Sequence, residues 1–203
     1  MQLNNTAPQG SVAGDAFIRT LRERTGPAHR QLEALPLSRA IVDPAVTKAQ
    51  YTRYLQLMAD VVADVEEHLF PLLAGTIPDI DERRKLAFIT ADLALLGAGW
   101  ERTSPVTGAT GTMGLAEAMG VMYVIEGSTL GGRVIVKNIE SALGYQEKSG
   151  AAYFSGYGTR TGPLWKSFLE CFTAFAAGAE EGAVLKGADH AFTTIYKQLS
   201  ISI

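Results

Sequence analysis

Four glycines fall within one stretch of otherwise helical periodicity: Gly120, Gly127, Gly131 and Gly132 in AEAMGVMYVIEGSTLGGRVIVKNIE. An interior glycine costs about 1 kcal/mol against alanine, so this helix gives up roughly 4 kcal/mol of intrinsic stability. The first three are separated by 7 and then 4 residues, which puts them on one helical face. Such a face shows bare backbone. Either another helix packs closely against it, as a small-xxx-small pair such as Gly127 and Gly131 permits, or a flat ligand presses on it and the helix bends there. The spacing leaves both readings open.

The rest of the chain supports a helical protein. Its 203 residues suit one domain with a substantial core, and 47% hydrophobic with 19% charged residues is an ordinary globular balance. A net charge of −3 argues against a general polyanion binder, so no nucleic-acid partner is expected, although Arg19, Arg22, Arg24 and Arg30 gather near the start. The lone Cys171 cannot form an internal disulfide, which fits a reducing cytoplasm, and three scattered histidines offer no zinc-ligand spacing. Residues 1–14 carry no basic-then-apolar pattern and are expected to be a flexible tail before a domain over 15–203. The longest apolar run, LAFITADLALLGAGW, is short and contains Asp92, so no membrane span is expected.

Periodicity predicts a first helix from Asp15 to about Leu35, kinked at Gly26-Pro27. A second, capped by Thr47, runs to about Phe70, with Pro71 near its end, and a third runs from Asp81 to about Leu96. After a loop over 99–112 comes the glycine-marked helix, about 113–143, ending at Gly144. Residues 145–162 read as loop, and two helices follow at about 163–180 and 187–200. No strand set is visible, and the expected fold is an all-α, single-domain helical bundle.

Two features of the first helix carry chemistry. His29 and Glu33 are one turn apart on one face, an arrangement that suits a metal-ligating imidazole held by a carboxylate and equally an ordinary surface pair. Arg22 lies two turns earlier, roughly 10 Å from His29 along the axis. That separation fits a cofactor with a central metal and peripheral carboxylates, and a solvated charge fits as well. Lys166 is either a second acid clamp or a surface lysine. Trp165, Phe168, Phe172 and Phe175 recur at helical spacing, as core first and cofactor wall second. Cys171 sits in an apolar helical setting that reads as core.

Together, Thr25-x-x-x-His29-x-x-x-Glu33 and YVIEGSTLGGRVI at 123–135 resemble the bacterial heme oxygenases, over nearly the whole chain from Asp15 to Leu199. The resemblance implies a heme oxygenase-like bundle with a glycine-kinked distal helix, and heme as both cofactor and substrate. It makes His29 the iron ligand and Glu33 its supporting carboxylate, with Thr25 beside them. Tyr123, Gly127, Ser128, Gly131 and Gly132 fall on the opposite wall, Arg22 and Lys166 at the heme carboxylates, and Phe192 at a late aromatic position. It implies oxidative opening of heme to a biliverdin with release of iron and carbon monoxide, using molecular oxygen and an external electron donor. A biliverdin acceptor such as phytochrome is an implied partner. The chain departs from mammalian-type members at three places: Ser128 stands where they have an aspartate, Glu170 where they have a second basic contact, and Ile195 where they have an asparagine. The competing readings are a non-degrading heme carrier or sensor, a thiaminase-like helical enzyme, and a structural bundle that takes up no heme.

Overall fold

The computed structural model describes residues 12–102 and 112–201. Among these the chain is helical, with no strand beyond isolated bridges from Gln146 to Ser149 and Gly150. The main helices are α1 (Val12–Glu33), α3 (Lys48–His68), α5 (Leu86–Leu95), α6 (Leu115–Leu143), α8 (Thr161–Ala176) and α9 (Glu181–Ser200). Short helices α2 (Pro36–Ala40), α4 (Phe70–Leu73) and α7 (Ala152–Ser155) connect them. Helix α6 runs along α9, α1 packs on α8 and α9, and α3 packs on α5 and α9. Their shared core includes Leu21, Tyr51, Leu55, Met119, Phe168 and Phe172.

Local sequence explains several boundaries. Thr47 opens α3 with a capping box: its hydroxyl accepts from the Gln50 backbone N–H at 3.2 Å, and the Gln50 side chain accepts from the Thr47 N–H at 2.8 Å. Helix α6 stops at Gly144, which adopts the left-handed conformation at φ +77° as a helix terminus requires.

Other boundaries differ from expectation. Helix α1 begins at Val12, with Asp15 inside its first turn and not at its cap, and it runs unbroken through Pro27. The carbonyl that loses its donor there belongs to Glu23, which is exposed to water. The expected tail lies largely outside the described residues, as does most of the loop at 99–112. The expected helix from Asp81 is two pieces, a 3-10 turn over Ile80–Arg83 and then α5, because the chain extends at Arg84 to turn Arg83 and Lys85 inward. The Glu66 carboxylate on α3 caps the start of α5, accepting from the Lys85 and Leu86 N–H groups at 2.6 and 2.9 Å. Within the expected loop 145–162, α7 forms because Asp92 accepts from the Ala152 and Tyr153 N–H groups at 2.9 and 2.8 Å. Helix α9 starts at Glu181, six residues early, since the segment around Gly187 packs against α6.

Candidate functional site

Between α1 and α6, closed by α8 and α9, lies a cleft of about 500 Å³, a size suited to one organic ligand. The α1 wall carries Arg22, Thr25, Gly26, His29 and Arg30; the α6 wall carries Tyr123, Val124, Gly127, Ser128 and Leu130. Trp165 from α8, with Phe192 and Ile195 from α9, completes it. Two widely separated stretches of sequence thus face one another across an open space.

His29 keeps 57% of its side chain exposed within this cleft. Its Nδ1 lies 3.4 Å from a Glu33 carboxylate oxygen, and the Phe192 ring meets the imidazole edge-on, with centroids 5.9 Å apart. One ring nitrogen therefore lies beside the Glu33 carboxylate on the same helix, and the ring is braced from α9. Thr25 turns its hydroxyl back to the Leu21 carbonyl at 2.8 Å, so it contributes shape to the wall more than a free donor.

Opposite, Gly127 leaves the α6 backbone bare. A Cβ there would stand 3.7 Å from the Trp165 ring, an ordinary contact, so the residue is not forced to be glycine by its own packing. Gly131, one turn on, is exposed, and a Cβ there would meet no described atom within 4 Å. Ser128 is exposed on the same wall and donates to the Ile125 carbonyl at 2.7 Å, which leaves its oxygen lone pairs as acceptors. Val124, Leu130, Trp165 and Ile195 supply apolar surface, while cations stand at the rim. Arg22 rests its Nε 3.4 Å from the Tyr123 hydroxyl, and Arg30 folds back over Gly26, whose missing side chain makes room for the guanidinium.

Of the expected site residues, Glu33 and Gly131 do not line the cleft themselves, and two more, Gly132 and Lys166, are turned away from it. Gly132 is buried on the far side of α6, where a Cβ would collide with the Phe154 carbonyl; close packing on α7 accounts for it. Lys166 points to solvent, 81% exposed, with its ammonium 3.9 Å from Glu170 on the next turn of α8. The neighbouring Trp165 faces the cleft in its place, because adjacent helical residues diverge by about 100°. Gly120, grouped with the others by spacing, packs against α9. The cation that sequence reasoning left without a role is Arg30; its signal was the Arg22-x-x-x-Gly26-x-x-x-Arg30 stripe. Burial pushes the Cys171 thiol up from its usual range, in keeping with the core reading. Among the described residues no cluster of three or more His, Cys, Asp or Glu could hold a bare metal ion, and no helix is long and apolar enough to cross a membrane.

A single imidazole facing an apolar slot, with guanidinium groups at its mouth, fits a flat, metal-centred molecule bearing carboxylates. Comparison with known proteins agrees. The sequence model of the heme oxygenase family matches residues 15–200. Heme oxygenase PigA of Pseudomonas aeruginosa is 30% identical over 171 residues, 83% of each chain. Three solved structures share the fold. The heme oxygenase of Neisseria meningitidis superposes with a TM-score of 0.71 at 23% identity, covering 92% of this chain and 93% of that one. That of Leptospira interrogans gives 0.75 at 17% identity, covering 91% and 98%. Heme oxygenase-1 of Synechocystis, solved in complex with heme, gives 0.70 at 15% identity, covering 91% and 90%.

Proposed function

The chain belongs to the heme oxygenase family, and from that premise we propose that it opens heme to a biliverdin, releasing iron and carbon monoxide, with molecular oxygen and electrons from an external donor. The observation that carries this reading is the pairing of an accessible imidazole, His29, with a side-chain-free backbone wall at Gly127 across one cleft.

The residues present fit heme. His29 would hold the iron, and with its Nδ1 beside the Glu33 carboxylate, Nε2 is the nitrogen left for the metal. Phe192 limits how far the ring can tilt. Gly127 on the opposite wall keeps side chains out of the cleft facing His29, which would leave room there for small ligands alone. Ser128 presents hydroxyl lone pairs there, able to hold a water that donates or relays a proton. Tyr123, Val124 and Leu130 exclude bulk water from the macrocycle. Arg22 and Arg30 bind the heme carboxylates by charge-assisted hydrogen bonds, without Lys166. Bound heme itself supplies the redox chemistry and is the molecule consumed. The setting this implies is a reducing cytoplasm with an electron-donor protein or small reductant, and a biliverdin acceptor of the phytochrome kind is a fitting recipient of the product.

The test is to load heme anaerobically, then add reductant and oxygen with catalase present, and identify products. Loss of heme absorbance with a blue-green pigment and carbon monoxide is expected. Stable binding without pigment makes the protein a carrier or sensor, and absence of heme uptake refutes the site.

A further inference from the structure

Directly behind the glycine wall is a buried ionic cluster that the reading above does not use. Glu126, the residue before Gly127, is 1% exposed and accepts three donors: Arg83 Nη1 at 2.5 Å, Lys85 Nζ at 2.9 Å and the Tyr157 hydroxyl at 2.7 Å. Arg83 is fully buried. It donates through Nε and Nη2 to both oxygens of Asp79, at 2.9 and 2.8 Å, and through Nη2 to the Leu164 carbonyl at 3.1 Å. Two cations thus meet two carboxylates. Burial, then the adjacent Glu126 charge, pushes the Tyr157 phenol far above its usual range, so it remains a donor to that carboxylate.

The two ends of this cluster matter. Glu126 precedes Gly127 on α6, and Leu164 precedes Trp165 on α8. Gly127 and Trp165 are the groups that approach one another in the cleft, 3.7 Å from the glycine's Cβ position to the indole. A single guanidinium therefore ties the Glu126 side chain on α6 to the Leu164 carbonyl on α8, each one residue before a group that faces the cleft. Buried ion clusters add little net stability over well-packed apolar side chains, whereas they fix one geometry among alternatives. We propose that Arg83 and Glu126 are positioning residues that set the spacing between the Gly127 wall and Trp165, and thereby the seat of the macrocycle. The role in seating rests on the heme reading above; the spacing itself does not.

The chain has two tryptophans, Trp100 and Trp165, so protein labelled with 5-fluorotryptophan gives two fluorine resonances, assigned with Trp165→Phe. In Glu126→Gln the amide sets a donor against donors, and the Trp165 resonance of the heme-free protein shifts while that of Trp100 stays. Tyr157→Phe, which removes one donor and no charge, shifts it less in the same direction, and decides the matter if Glu126→Gln does not fold. Asp60→Asn serves as control: Asp60 is buried and bonded to the Trp100 indole N–H at 2.9 Å, so it moves the Trp100 resonance alone. With heme, Glu126→Gln binds roughly tenfold more weakly, shifts the Soret band and changes the distribution of biliverdin isomers. If both variants lose thermal stability yet leave the Trp165 resonance, Soret band and isomers as in the parent, the cluster is structural and the proposal is overturned. Should the parent itself take up no heme, the functional reading fails and the fluorine spectra of the heme-free protein still decide the spacing.

Discussion

Two sites along α6 use the same residue for opposite ends. At the first, Gly120 is pressed against α9: a Cβ there would overlap the Val184 carbonyl and stand 2.8 Å from the Ala188 nitrogen. The contact is reciprocal, since a Cβ on Gly187 would overlap the Glu117 carbonyl. At the second, two turns on, Gly127 has ordinary room and Gly131 has open space, so both could carry a methyl group without moving a neighbour, whereas Gly132 beside them is packed on the Phe154 carbonyl. Each glycine costs the helix the same backbone entropy. What differs between Gly120 and Gly127 is what stands opposite: another backbone at the first, the open cleft at the second.

The largest effect belongs to the cleft. His29→Ala should abolish turnover and replace the iron-coordination spectrum, with thermal stability unchanged because the side chain is largely exposed; an unaltered spectrum removes His29 as the ligand. Next comes the crossing. Gly120→Ala forces two backbones apart and should cost about 3 kcal/mol, a fall in Tm on the order of 10 °C in a thermal melt. Arg22→Ala should weaken heme binding by about 2 kcal/mol in a titration, the worth of a charge-assisted hydrogen bond, and leave the melt alone. Gly127→Ala is the direct contrast to Gly120→Ala: the heme-free protein gains up to about 1 kcal/mol of helix stability while heme binds less well. Loss of stability there would show that Gly127 is packed as Gly120 is.

Acid separates the two regions most gently. Burial lowers the His190 pKa, one turn from Gly187 on α9, and the nearby carboxylates of Asp64 and Glu117 oppose that only in part. Its folded value lies below its ordinary 6.5, so the unfolded chain takes the proton first, and stability from this group is lost as pH falls below 6.5. Asp79, in the ionic cluster behind Gly127, behaves differently. Burial pushes its carboxyl up, but the hydrogen bonds and charge of Arg83 more than offset this and hold it below its ordinary 3.8. Its contribution is full above that range and lost only as pH falls beneath it. Melts across pH should show the His190→Gln variant losing the upper step and Asp79→Asn the lower one.

Much of the fold was legible because helical periodicity is a local signal. The Thr47 cap and the Gly144 stop were readable from residues adjacent to the boundary. Boundaries set from a distance were not: Glu66 caps α5 from α3, and Asp92 starts α7 from α5, so nothing beside those helices announces them. The cleft was partly legible in the same sense. His29, Glu33 and Arg22 share a stripe of α1, and Gly127 and Ser128 share the wall opposite. The choice between clamp and surface lysine for Lys166 was not legible, because on α8 a single residue's rotation exchanges cleft for solvent: Trp165 faces the cleft and Lys166 faces solvent.

The sequence by itself determined that α6 would carry bare backbone, and that one imidazole with a carboxylate partner would sit on an early helix. Only the tertiary structure decided which glycines face a partner helix and which face open space. The reason is physical: a missing side chain fixes how closely something can approach, and the identity of that something depends on segments as many as 70 residues away, as Gly187 against Glu117 shows.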